Sequence, residues 1–172
     1  MVEDGPNRAK RLLGGKGWQM PKLKPGNKVP DFTLRDPEGK DFHLYENLGS
    51  MKTMLVFYRG DWCPICNVYL NNLQQWIAQF RDANTQLIAL STDSPTAALN
   101  MKQRLGLSFV IIPGLNKEMI EAYDLVYNEK FHYNEPAIFI IWPDGTVAFF
   151  AITSSSLGRP GVEDLLSIVS SI

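Results

Sequence analysis

The chain has 172 residues, 45% apolar and 20% charged. That is the size and balance of one globular domain, and it excludes a disordered or collagen-like chain. A net charge of −1 gives no overall field for nucleic acid, and two cysteines are too few to scaffold a domain large enough to build its own core.

Charge is uneven along the chain. Residues 1–28 carry Arg8, Lys10, Arg11, Lys16, Lys22, Lys24 and Lys28 against only Glu3 and Asp4. Residues 1–25 are also rich in Gly and Pro, so they read as a loose basic arm with a helical turn around Arg8–Leu13. We expect the arm to be solvated rather than docked on an acidic partner. It lacks the apolar stretch of a secretory signal, so the expected compartment is the cytoplasm. No membrane span is expected either. A spanning helix needs about 20 apolar residues, and the longest candidate, Ala137 to Ile152, is interrupted by Pro143-Asp144-Gly145.

A compact domain is expected over residues 26–172. Asp31 to Leu34 and Asp41 to Leu44 alternate polar with apolar residues around the turn sequence Asp36-Pro37-Glu38-Gly39, which predicts a hairpin. Met54 to Tyr58 is a continuous apolar run, as in a strand covered on both faces. From Cys63 to Arg81 the residues Ile65, Tyr69, Leu70, Leu73, Trp76, Ile77 and Phe80 fall at helical spacing. Gln86–Leu90 reads as a strand, and Ser94-Pro95 opens a helix running to about Leu105. Phe109–Ile112 is a further strand and Lys117–Tyr123 a short helix. Ala137–Trp142 and Thr146–Ile152 form a second hairpin, and Val162–Ile172 a closing amphipathic helix. This alternation predicts an α/β three-layer sandwich with a mixed central sheet.

The chemistry-bearing segment is Phe57-Tyr58-Arg59-Gly60-Asp61-Trp62-Cys63-Pro64-Ile65-Cys66. A Cys-x-x-Cys where a strand gives way to a helix puts the first sulfur at the helix N-terminus. There free N–H groups and the helix dipole favour thiolate. Pro64 suits the first helical position, and Cys66 follows one turn later, near enough to close a disulfide. A zinc site would need His43 or His132, which lack ligand-pair spacing. Covalent haem attachment needs His after the second Cys, where Asn67 stands. Two inert core cysteines remain the plain alternative.

On these residues the sequence resembles the thioredoxin-like superfamily and, within it, the peroxiredoxin-like (AhpC/TSA, redoxin) family in its Cys-Pro-x-Cys branch. The resemblance covers most of Gly26 to Ile172. It rests on Gly26 to Leu34, the cysteine segment, Leu90-Ser91-Thr92-Asp93-Ser94, and Pro136 to Ile141 followed by Asp144-Gly145. It implies a thioredoxin-like fold, no bound cofactor or metal, and a disulfide or peroxide substrate. It also implies an external thiol reductant, such as a thioredoxin-type protein or glutathione.

The departures matter as much. In the family's Pro-x-x-x-Thr-x-x-Cys segment, Arg59 stands at the Pro, Cys63 at the Thr and Cys66 at the peroxide-reacting cysteine, while Pro136 occupies the late-strand Arg position. The peroxide pocket is therefore expected to lack both its hydroxyl and that Arg, with Arg59 as a possible thiolate stabiliser from another direction. The thioredoxin features are Trp62-Cys63-Pro64-Ile65-Cys66 and Pro136. That superfamily's cis-proline would offer the Glu135 main chain to an extended substrate, with Trp62 and Pro64 beside it. The buried acid six residues before the first Cys is replaced by Phe57, so a different proton acceptor, or water, has to assist Cys66.

The combined reading is a thiol-dependent oxidoreductase cycling between a Cys63/Cys66 dithiol and disulfide. The alternatives are a peroxiredoxin-like peroxidase with Cys66 reacting first, and a redox-sensing or binding module without turnover. The two family assignments disagree on the attacking sulfur. Access and the helix terminus favour Cys63.

Overall fold

The computed structural model describes residues 22–172. The helical turn expected at Arg8–Leu13 lies outside the described residues, as does nearly all of the basic arm. A small hairpin opens the fold, β1 (Thr33–Arg35) and β2 (Asp41–His43), with Leu34 opposite Phe42. Its turn is tied by the Asp36 carboxylate, which accepts the N–H groups of Glu38 (3.0 Å) and Lys40 (2.8 Å).

The central elements follow in chain order. They are β3 (Lys52–Phe57), α1 (Pro64–Gln75), α2 (Ile77–Asp82), β4 (Thr85–Leu90), α3 (Pro95–Leu105), β5 (Val110–Ile112) and α4 (Lys117–Ala122). A two-rung hairpin, β6 (Tyr127–Asn128) and β7 (Tyr133–Asn134), precedes β8 (Ala137–Ile141), β9 (Val147–Ile152) and α5 (Val162–Ser171). The main sheet has the order β5-β4-β3-β8-β9. The β3, β4 and β5 strands run parallel, while β8 and β9 are antiparallel to their neighbours.

Side-chain alternation along β3 divides the core in two. Met54, Val56 and Tyr58 join Leu70, Leu73, Met101, Leu165 and Val169 from α1, α3 and α5, and Cys63 and Cys66 belong to this layer. Leu55 and Phe57 face the other way, toward Phe139, Tyr123, Ile120, Phe32 and Phe42. The result is the expected three-layer mixed sandwich. Among the described residues no helix is long and apolar enough to cross a membrane.

Three features differ from the sequence expectation. The long helix from Cys63 to Arg81 breaks at Trp76 (φ −104°, ψ 12°), whose N–H bonds the Leu73 carbonyl at 3.2 Å in a tightened last turn. The apolar spacing runs through the break, so the pattern gave no warning. The β6–β7 hairpin was not expected, because two-residue strands carry no period to read.

The third difference is the domain boundary, expected after residue 25. Leu23 is buried in the second core layer, and the Lys22 N–H bonds the Asp124 carboxylate at 3.0 Å. The domain therefore begins at least three residues earlier. Leu23→Ala should lower stability by about 2 kcal/mol, read from the urea midpoint. An unchanged midpoint would mean that Leu23 contributes no packing.

Candidate active site

The carboxyl end of β3 leads into a short loop, and the loop into α1. In an open α/β sheet this is where ligands bind. Cys63 is the N-cap of α1, with Pro64 in the first turn. Its extended backbone aims the sulfur back at the helix, where it accepts the Cys66 N–H at 3.3 Å. The sulfur thus does the work that a Ser or Asp side chain does at an ordinary N-cap. The Cys63 N–H bonds the Gly60 carbonyl at 3.2 Å, and Asn67 Nδ2 donates to the Asp61 carbonyl at 2.9 Å.

Cys66, fully buried, has a different environment. Arg159 Nη2 lies 2.8 Å from its sulfur. Burial, together with the neighbouring Cys63 sulfur, pushes the Cys66 thiol up to about 11, while Arg159 and the Arg59 main-chain N–H pull it back down. The Arg159 guanidinium is held 4.8 Å above the Tyr69 ring, and the Tyr69 hydroxyl donates to the Pro160 carbonyl at 2.9 Å. Both Nε and Nη1 of Arg159 are buried without a hydrogen-bond partner. Arg159 lines a cleft of about 230 Å³ whose walls also include Ile65, Val68, Tyr69, Leu157 and Val162.

Arg59, the stabiliser expected from sequence, is engaged elsewhere. It makes a two-pronged ion pair with Glu135, both contacts at 3.0 Å, and donates to the Tyr133 hydroxyl at 3.0 Å. Its guanidinium lies over the Tyr133 ring at 4.9 Å and 5.9 Å from the Trp62 ring. Arg59 is near enough to feel the Cys63 charge, but Glu135 balances much of its own.

Two expectations about the late loop need correction. No peptide bond among the described residues is cis, so Pro136 is a trans-proline. The Glu135 main chain is not open to a substrate either. Its N–H bonds the Val126 carbonyl at 2.7 Å and its carbonyl accepts Asn134 Nδ2 at 3.1 Å. These bonds tie it to Val126 and Asn134, at either end of the unexpected β6–β7 hairpin. Glu135 enters the site through its side chain instead. Buried Pro136 serves packing, its carbonyl accepting the Thr153 hydroxyl at 2.9 Å.

Trp62 and Pro64 remain exposed beside the cysteines. His43 pairs with Thr33 and His132 with Tyr127, each within its own small hairpin. The guanidinium expected from another direction in place of the missing late-strand Arg is, at Cys66, not that of Arg59. Arg159 supplies one from the loop before α5. It lies 93 residues from Cys66, in Gly158-Arg159-Pro160-Gly161, and no spacing rule connects the two. Tyr133 was equally hidden.

A reduced cysteine pair at the helix end of a parallel βα unit, inside this mixed five-stranded sheet, defines a thioredoxin-like thiol oxidoreductase. Residues 25–150 match the model of the AhpC/TSA family, and the chain belongs to that family. A 1-Cys peroxiredoxin of Dictyostelium discoideum is 28% identical over 144 residues, covering 80% of this chain but 59% of its own length. A thiol-disulfide oxidoreductase, ResA of Bacillus subtilis, is 21% identical over 148 residues, covering 86% and 76% of the two chains. Among solved structures, the peroxidoxin BcpB of Mycobacterium tuberculosis superposes with a TM-score of 0.77 at 16% identity, covering 87% of this chain and 98% of its own. The protein is a thiol-dependent redox enzyme.

The contacts around Cys66 can be checked with a single thiol left in the protein. In Cys63→Ser, ultraviolet thiolate absorbance should show Cys66 titrating well above an ordinary cysteine, which ionises near about 8.5. Arg159→Met should move that midpoint higher still, because it removes the nearest positive charge. A Cys66 midpoint at or below the ordinary value would contradict the burial seen here.

Proposed function

We propose that the enzyme is a thiol peroxidase in which Cys66 meets the peroxide and Cys63 resolves it. The observation that carries this reading is the Arg159 guanidinium. One nitrogen rests 2.8 Å from the Cys66 sulfur, and the other two, Nε and Nη1, are buried without a hydrogen-bond partner. A guanidinium so placed offsets part of the burial cost of ionising the sulfur. It can also stabilise the negative charge that develops on the departing peroxide oxygen. The sequence expectation put Cys63 first. What supports the reverse order for peroxide is that Arg159 lies on Cys66, whereas Arg59, the guanidinium on the Cys63 side, is shared with Glu135.

The cycle balances as follows. Cys66 thiolate attacks one peroxide oxygen, the O–O bond breaks, and the released alkoxide or hydroxide takes a proton, leaving Cys66 sulfenic acid. The Cys63 thiol then attacks the Cys66 sulfur, and hydroxide leaves with the thiol proton as water. An external dithiol, a thioredoxin-type protein or a glutathione pair, reopens the disulfide. A high Cys66 pKa makes the thiolate scarce at neutral pH, but a thiolate of higher pKa is the stronger nucleophile, which offsets part of that scarcity.

The surroundings support such an exchange. Trp62, Ile65, Val68, Phe131 and Leu157 are exposed apolar side chains. Trp62 flanks Cys63, and Ile65, Val68 and Leu157 line the Arg159 cleft, giving an apolar rim where a protein reductant can dock. A chain whose two cysteines serve chemistry rather than a structural disulfide framework fits a reducing compartment, the cytoplasm. Reduction of protein disulfides by Cys63 is the second reading. It is favoured by the N-cap position of that sulfur, but the closed Glu135 main chain removes the strand-like docking it would use.

Single-turnover peroxide consumption separates the two. Cys66→Ser should consume none, while Cys63→Ser should consume one equivalent and accumulate sulfenic acid, seen by mass spectrometry. Arg159→Met should slow the first step about 100-fold. With thiolate as the reactant, that step should slow about tenfold per pH unit as pH falls below the Cys66 midpoint. Undiminished peroxide consumption by Cys66→Ser would sink the assignment.

A further inference from the structure

The carboxyl ends of β3 and β4 lie side by side, and a buried carboxylate on the β4 side is tied to the cysteine loop. Asp93 is 9% exposed. Its Oδ2 accepts the Asp61 N–H at 2.9 Å. Asp93 is itself fixed, its N–H bonding Ser91 Oγ at 3.2 Å and its carbonyl accepting the Gly114 N–H at 3.0 Å. The Tyr58 hydroxyl lies beside the same carboxylate and Ser91 without a hydrogen bond of ordinary geometry.

The fit above the carboxylate is close. A Cβ on Gly60 would lie 2.4 Å from Trp62 Nε1 and 2.9 Å from Asp93 Oδ1, so only glycine passes between them. Asp61 is thus gripped by Asp93 at its N–H and by Asn67 at its carbonyl, and the next turn delivers Cys63 to the N-cap. A buried acid is costly to keep. Burial holds the Asp93 carboxyl above its usual range, the Asp61 charge adding to it against the pull of Ser91 and the Asp61 N–H. A charge-assisted bond to one main-chain N–H is a strong tether for a loop.

We infer that Asp93 is a positioning residue, whose carboxylate latches the Gly60–Cys63 loop and holds the Cys63 sulfur at the N-cap, ready to close the disulfide with Cys66. The physical basis is effective concentration. An intramolecular attack is fast only while the attacking atom is kept near its target, and loosening the loop disperses Cys63. The first reaction, at Cys66, does not depend on the latch, because that sulfur is placed by α1 and Arg159. The inference rests on the two-cysteine cycle proposed above.

The test measures the two steps separately in wild type, Asp93→Ala, Asp93→Asn and Gly60→Ala. Rapid quench with hydrogen peroxide and mass spectrometry follows sulfenic acid formation and then disulfide closure. Asp93→Ala should slow closure about tenfold and leave sulfenic acid formation unchanged. Asp93→Asn, whose amide oxygen still accepts the Asp61 N–H, should stay within about threefold of wild type. Gly60→Ala, which drives a methyl group between Trp62 and Asp93, should slow closure as Asp93→Ala does. It provides a second variant if Asp93→Ala loses its near-ultraviolet circular dichroism.

Closure unchanged in folded Asp93→Ala and Gly60→Ala overturns the latch. So does equal slowing of both steps, or an Asp93→Asn defect as large as that of Asp93→Ala. A parallel arm closes the reduced pair with oxidised glutathione, where two thiols become one disulfide and two glutathiones are released. That arm needs no peroxide. If wild type fails to consume peroxide but closes normally with oxidised glutathione, the peroxidase reading falls while the Asp93 comparison still decides the latch.

Discussion

The hydrogen bond from the Cys66 N–H to the Cys63 sulfur, 3.3 Å long, is the constraint on which the site is built. It makes one cysteine the cap of the helix that carries the other, so the pair is placed by the same turn that starts α1. The turn exists because β3 ends at the helix-covered face of the sheet and Pro64 admits a helix start directly after Cys63. Moving the Cys63 sulfur therefore means uncapping the helix, not merely rotating a side chain.

Two guanidinium groups approach this pair with different freedom. Arg59 is balanced by Glu135 at 3.0 Å and sandwiched with the rings of Tyr133 and Trp62. Arg159 has no carboxylate partner among the described residues and spends its contacts on Tyr69 and Cys66. Burial does most to raise the Cys66 thiol, and Arg159 works against it. Among the described residues, the buried side-chain polar atoms left without partners belong to Tyr58, Asn67, Asn134 and Arg159, all on segments that frame the pair. Unmet hydrogen-bonding capacity collects where a reaction needs it.

Much of the fold could be read directly from the sequence. The apolar runs read at Met54–Tyr58 and Ala137–Trp142 became the central strands β3 and β8, and Ser94-Pro95 opened α3 with the Ser94 hydroxyl accepting the Ala97 N–H. The cysteine pair and its helix-end position were legible because local chain geometry alone dictates them. The rest of the site was not. Arg159 reaches Cys66, and Tyr133 reaches Arg59, through tertiary packing. The resemblance gives Glu135 a role for its main chain, whereas its carboxylate makes the contact, and the two-residue strands β6 and β7 have no sequence period. Pro136 is trans, whereas the resemblance pointed to cis.

The closeness of Cys63 and Cys66 in the chain has a consequence for how redox state is sensed. In the chain-entropy picture a disulfide spanning about four residues adds only about 2 kcal/mol, against about 4.7 kcal/mol for a loop of about 100 residues. Reduction thus gives up less than half of what a long-loop disulfide would, though that is still about 30-fold in the folding equilibrium. The rest of the difference between the two forms is concentrated at the Gly60–Cys66 surface, where a molecule in contact with it reads the oxidation state directly.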